Sequence, residues 1–250
     1  MTSERASDDP GAGNLRLTVF GANGGTGRAL VEHALAAGHR VTAVTRHPEQ
    51  FPQRHERLVV FAGDATVPAD VGAAIDGADA VLSALGVPYS REPITLYSRS
   101  AECIAEAMRR LGVSRLIAVS SAAVDPDGFP AKNLGDRLIG QYLIGPVIHR
   151  LGRTMYADML RMERIVRDSD LGWTILRPPA LFDADAAGRT AVSLEPLAHR
   201  FVSRRDLGAV MLREVTETEY VGKILYVYSV DGRPSLARTI WEDGIRRKNA

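Results

Sequence analysis

Leu15-Arg-Leu-Thr-Val-Phe-Gly-Ala-Asn-Gly-Gly-Thr-Gly27, running on into Arg28-Ala-Leu-Val-Glu-His-Ala-Leu-Ala-Ala37, decides the fold of this chain. Residues 15–20 are a short β-rich run, the next seven residues hold four glycines, and Leu30, Val31, Ala34 and Leu35 then share one face at 3.6-residue spacing. Gly38 follows, where a helix needs a left-handed stop. The stretch therefore reads as strand, turn and helix.

The same alternation continues outward. Strands are expected over 41–45, 58–61, 78–85, 115–121, 173–176 and 224–230, separated by helices near 71–75, 100–111, 155–169 and 207–214 and closed by a helix over 235–247. Strands divided by helices imply βαβ crossovers and a parallel sheet, so the fold class is α/β, doubly wound, with helices on both faces. Ser203 followed by Asp206 resembles a capping box, with Asp in place of the usual Glu or Gln. The domain count expected is one, over 15–250, behind a loose tail at 1–14. Small substrate-side segments fall near 125–154, where Pro and Gly interrupt apolar residues, and near 183–205, which reads as loop-rich.

Composition narrows the partners. The 250 residues are 45% apolar and 24% charged, which fits a globular protein and not a disordered or membrane-spanning one. A net charge of +1 is too balanced for a dedicated nucleic-acid or anionic-membrane binder, leaving small molecules as the expected partners. The lone Cys103 excludes an internal disulfide and multi-cysteine metal sites, and it reads as an inert small hydrophobe. With no secretory signal at the start, the expected compartment is the cytoplasm. His33, His39, His47, His55, His149 and His199 lack paired ligand spacing, and no metal is expected.

A glycine turn between first strand and first helix lets backbone N–H groups approach a pyrophosphate, with the positive end of the helix dipole facing it. Gly21, Asn23, Gly24, Gly25, Thr26 and Gly27 are thus candidate dinucleotide contacts, Gly27 also permitting tight helix–strand packing. An acidic residue commonly ends the second strand of NAD binders. This chain has Arg46 there, a cation suited to a 2′-phosphate, so NADP(H) is the expected cofactor. Asp64 and Ala65 after the third strand are candidate adenine contacts, the alternative for Asp64 being a turn aspartate. Ala84, Leu85 and Gly86 at the end of the fourth strand should run beside the ribose and pyrophosphate.

Val19-Phe-Gly-Ala-Asn-Gly-Gly-Thr-Gly27, Gly63-Asp-Ala65, Val119-Ser-Ser121, Trp173-Thr-Ile-Leu-Arg-Pro-Pro179 and Val202-Ser-Arg-Arg-Asp-Leu207 together resemble the atypical short-chain dehydrogenase/reductase group, over about 15–230. Within it, the chain most resembles the flavin reductase (biliverdin IX-beta reductase) branch and its NmrA-like relatives. The resemblance implies a Rossmann-type fold, NADPH along the strand ends, and hydride transfer to a flat, conjugated or carbonyl acceptor. It places Ser121 at the family's serine, with Ser120 among the cofactor contacts, and Pro178, Pro179 and Ala180 under the nicotinamide. Tyr156 stands where the family's tyrosine sits, but Leu160 replaces the partner lysine. An unassisted phenol near pKa 10 is a poor base at neutral pH, which suits acceptors that take a hydride readily: flavins, quinones, enones or ketones. The branch's histidine on this helix has no counterpart, because Met159 and Glu163 occupy the neighbourhood.

Other residues leave two readings open. Asp158 and Glu163 would be candidate proton donors if the fold buried them, but they lie off the methionine stripe of their helix and suit a solvated or ion-paired face, with Arg161, Arg164 and Arg167 as counter-charges. Arg177 is either a substrate anchor or the partner of a carboxylate. The function expected is an NADPH-dependent oxidoreductase, as a monomer or weak homodimer. The alternatives are an NmrA-like redox sensor without turnover and an isomerase, epimerase or dehydratase.

Overall fold

The computed structural model describes residues 14–88, 90, 92–125, 145–198 and 201–231. Most of the expected tail, residues 126–144 of the first substrate-side segment, His199 and the closing helix lie outside them.

In chain order the elements are β1 (Arg16–Phe20), α1 (Gly25–Ala36), β2 (Arg40–Thr45), β3 (Leu58–Ala62), α2 (Pro68–Ile75), β4 (Ala80–Ser83), α3 (Leu96–Leu111), β5 (Arg115–Val119), α4 (Gly145–Arg167), β6 (Gly172–Arg177), β7 (Ala180–Phe182), β8 (Thr190–Ser193), β9 (Phe201–Ser203), α5 (Arg204–Arg213) and β10 (Lys223–Ser229). Eight strands form one sheet in the order β3-β2-β1-β4-β5-β6-β10-β8. All its pairings are parallel except β10–β8 at the edge. This is the Rossmann-type doubly wound sheet, and the order reverses between β1 and β4, where such folds bind ligands.

Strands covered on both faces must be apolar throughout, and β1 is buried from Leu17 to Phe20. One apolar layer joins Leu30, Val31 and Ala34 of α1 to Leu207, Val210 and Met211 of α5 over one face of the sheet. The other joins Val71 and Ile75 of α2, Ile104 and Met108 of α3, and Met159, Met162 and Val166 of α4. Gly38 carries φ +87°, the left-handed stop expected after α1.

The segment 183–205 differs from the loop-rich reading. It contributes β8 to the sheet edge, and β9, which pairs in parallel with β7 as a separate two-stranded ribbon. These strands are three or four residues long, so their pairing comes from distant partners and leaves no local periodicity. Helix α4 starts at Gly145, ten residues before the expected 155; Pro146 falls in its first turn, where its missing N–H costs nothing. The capping reading of 203–206 holds in half. Ser203 Oγ accepts from Asp206 N at 2.9 Å, but Asp206 is too short to reach back and its buried carboxylate instead accepts from Gly188 N (2.6 Å) and Ser229 Oγ.

Candidate functional site

At the carboxyl ends of the strands, beside the β1/β4 reversal, lies a cavity of about 590 Å³. That volume falls within the roughly 300–1,000 Å³ of small-molecule sites. Each parallel strand delivers its following loop to the rim. Gly21, Asn23, Gly24, Gly25 and Thr26 come from β1, Arg46 from β2, Asp64 and Ala65 from β3, Ala84, Leu85 and Gly86 from β4, and Ser120 from β5. The topology therefore gathers twelve of the residues expected to hold a dinucleotide around one space.

Two glycines make the turn possible. Gly21 has φ +74°, and a Cβ there would fall 2.5 Å from Ala84 O on the neighbouring strand end. A Cβ on Gly27 would fall 2.2 Å from Gly21 O, so Gly27 lies behind the cavity, letting α1 close onto the turn. The N-cap of α1 is Gly24, with no side chain to cap the helix, and no acidic residue stands in its first turn. The N–H groups of that turn are left for an anion. Asn23 Oδ1 accepts from Arg28 Nε (3.1 Å) and Nη2 (2.6 Å), fixing the turn's other side chain.

Arg46 is exposed at the rim and makes no ion pair among the described residues. Asp64 Oδ1 accepts from Thr66 N (2.8 Å) and Thr66 Oγ1 (2.7 Å), and these bonds, with Arg46 and Arg99 nearby, hold its carboxyl below the usual range. Asp64 is thus a turn aspartate and a lining residue at once. Ser120 is 3% exposed, and its Oγ has no hydrogen-bond partner among the described residues. An orphaned buried hydroxyl costs stability unless a ligand satisfies it. The turn, the rim cation and this hydroxyl fit a bound dinucleotide.

The residues expected to do chemistry are placed otherwise. Ser121 Oγ accepts from Ala123 N (3.2 Å) and starts the short 3-10 turn Ala122–Val124. Tyr156 is buried with its ring against Gly152. Neither lines the 590 Å³ cavity, nor do Pro179 and Ala180, whereas Met159 on α4 and Tyr97 on α3 do. Tyr97 Oη accepts from Val87 N at 3.2 Å and holds the β4–α3 loop at the rim.

Asp158 and Glu163 are ion-paired as expected but buried, correcting the solvated reading. Asp158 Oδ2 accepts from Tyr97 N (2.8 Å) and Ser98 N (3.3 Å), and its Oδ1 from Ser98 Oγ (2.5 Å). It caps α3 from a neighbouring helix, where Thr95 supplies no side-chain cap. Arg161 is its counter-charge at 3.0 Å. Glu163 pairs with Arg177, Nε–Oε1 at 3.0 Å and Nη2–Oε2 at 2.7 Å, and not with Arg164 or Arg167. Arg177 Nη1 also donates to Asp125 Oδ2 (3.1 Å) and Tyr226 Oη (3.0 Å), and Tyr226 Oη donates to Asp125 Oδ2. Burial and the Asp125 carboxylate push the Tyr226 phenol up to about 12, with Arg177 opposing. Arg177 is therefore the partner of carboxylates.

His39 is buried, its Nδ1 accepting from Leu15 N at 3.2 Å, and burial lowers its pKa. Cys103 is half-buried against the α2–α3–α4 layer, and burial pushes its thiol up. Among the described residues no group of three or more His, Cys, Asp or Glu is placed to hold a metal, and no helix is long and apolar enough to cross a membrane. Signal for two further lining residues was present in the sequence. Arg204 lies in the quoted 202–207 motif, and Leu181 follows Pro179-Ala180.

Fold and cavity together define a dinucleotide-binding α/β protein of the Rossmann type. Residues 21–218 match the model of the NAD(P)H-binding family, and the chain belongs to that family, in keeping with its resemblance to the atypical short-chain dehydrogenase/reductase group. A chloroplastic, uncharacterized protein of Arabidopsis thaliana is 27% identical over 202 residues, 78% of this chain and 69% of that protein. Among solved structures, a short-chain dehydrogenase/reductase of Veillonella parvula in complex with NADP superposes with a TM-score of 0.71 at 19% identity, covering 86% of this chain and 95% of that one. An anaerobillin reductase from Escherichia coli O157:H7 gives 0.68 at 24% identity, covering 88% and 100%. At these identities the structures show the shared fold.

Proposed function

We propose that this protein is an NADPH-dependent reductase that passes a hydride to a small conjugated or carbonyl acceptor of the flavin, quinone, enone or ketone class. The observation that carries this reading is the arrangement around the cavity, a capless helix N-terminus at one glycine turn with Arg46, which makes no ion pair among the described residues, at the end of β2. Arg46 would meet a 2′-phosphate bidentately, Gly21 to Thr26 the pyrophosphate through backbone N–H groups, Asp64 and Ala65 the adenine, and Ala84 to Gly86 the ribose. Ser120 would satisfy its hydroxyl on the bound dinucleotide. NADPH, when bound, supplies the hydride.

The chain's own contribution is to hold and to exclude water. Ser121 and Tyr156 do not line the cavity, and neither is given a contact with the dinucleotide or the acceptor. Catalysis then rests on proximity, which is sufficient for acceptors that take a hydride without strong acid–base help. The NADP-bound V. parvula structure and the anaerobillin reductase support the same direction.

NADPH oxidation with flavin, quinone, enone and ketone panels tests this. Turnover on any acceptor is expected. Leu160 in the lysine's place favours a second reading, an NADP(H)-binding redox sensor. Tight binding with no oxidation and no rearranged product would establish that reading instead.

A further inference from the structure

We propose that Arg204 is the clamp on the dinucleotide's pyrophosphate and that Asp183 holds it ready in the free protein. The inference rests on the reading that the cavity takes NAD(P)H. Ser203 and Asp206 fix the start of α5 through the cap and the buried Gly188 and Ser229 contacts, so the Arg204 backbone is held. Its side chain then lies across the first turn of α1. A Cβ on Gly25 would fall 2.5 Å from Arg204 Cδ and 3.0 Å from Nε. The missing side chain at Gly25 therefore makes room for an arginine stem as well as for a ligand.

Arg204 lines the cavity together with Gly24, Gly25, Thr26 and Leu181. Its Nη1 donates to Asp183 Oδ1 at 2.9 Å. The parallel pairing of β7 with β9 sets this contact, because Phe182 stands opposite Ser203 at the strand ends and Asp183 and Arg204 are the residues that follow. Asp183 is 47% exposed and Arg204 24%, so the pair is solvent-screened and cheap to exchange. A pyrophosphate at the capless α1 N-terminus offers the arginine fork two or more anionic oxygens in place of one carboxylate. Asp183 thus keeps the cation extended over the turn, and competes with the ligand for it.

Calorimetric titration with NADPH, NADH and ADP-ribose tests the clamp, since the three share a pyrophosphate and differ in the 2′-phosphate and nicotinamide. Arg204→Gln should weaken all three alike by about tenfold, 1.4 kcal/mol, and Asp183→Asn should tighten all three by about two- to fivefold. Melting temperatures of both variants identify a folding defect. Should Arg204→Gln fail to fold, the Asp183→Asn result decides by itself. An Arg204→Gln change under about threefold for ADP-ribose, a loss confined to NADPH, or Asp183→Asn binding that is unchanged or weaker overturns the clamp. A wild-type protein that binds none of the three overturns the clamp and the proposed function together. Wild-type binding that is indifferent to both substitutions overturns the clamp alone.

Discussion

The turn at Gly21–Gly27 and the polar cluster at the end of β6 sit at the same edge of the same sheet, yet they are built on opposite terms. The turn presents backbone, with glycines, a capless helix end and Arg46, a cation without an ion pair among the described residues. The cluster presents side chains already spent on one another, with Arg177 joined to Glu163, Asp125 and Tyr226. Groups left unsatisfied are available to a ligand. Groups satisfied internally fix the positions of β6, β10 and α4 behind it. The comparison teaches that charge near a site is not evidence of a role in binding until its partners are counted.

Substitution at Arg177 should separate the two terms most sharply. Arg177→Ala strands Glu163, whose side chain is 4% exposed, and should cost about 3–5 kcal/mol in urea unfolding while leaving the NADPH affinity of the folded fraction within about twofold. A small stability loss with a large affinity loss would move Arg177 to the ligand side. At the turn, Gly21→Ala combines left-handed strain of about 1–2 kcal/mol with overpacking of about 1–3 kcal/mol against Ala84 O. Here stability and binding should fall together, and binding retained at wild-type affinity would show that the turn is not the anion site.

The smallest effect concerns pH and a carboxylate of neither region. Burial raises the Glu214 pKa above 4.5, with Arg213 and Arg115 opposing, and its Oε2 has no partner among the described residues. The folded state thus binds this proton more tightly than the unfolded state. Stability from this group is full below pH 4.5 and is lost as pH rises through the raised folded value. Glu214→Gln should remove that loss, so the variant gains on the wild type as pH rises from 4.5 and the gain then levels off. Parallel stability profiles for the two proteins would contradict the burial argument.

Legibility in the sequence follows the same division. The β1–turn–α1 unit and its parallel successors were readable because glycine spacing and apolar periodicity are local, and Arg46 is one residue past its strand. The ribbon β7–β9 and the edge strand β8 were not, because three or four residues carry no period and their partners lie about twenty or more positions away. Asp158 and Glu163 misled for a related reason. Their places off the apolar stripe suggested water, while what buries them is the start of α3, about 60 residues earlier, and Arg177, on the next strand. Ser121 and Tyr156 entered by resemblance, and side-chain packing set them apart from the cavity that the strand ends enclose.

Titration of cofactor-free protein with NADPH and NADH, for wild type and Arg46→Asp, distinguishes a 2′-phosphate site at Arg46 from a surface cation. NADPH should bind more tightly than NADH, Arg46→Asp should weaken NADPH by tenfold or more, about 1.4 kcal/mol, and NADH should change little. Equal affinity for both nucleotides, unmoved by Arg46→Asp, would contradict the phosphate clamp at β2, and binding of neither would overturn the reading of the cavity.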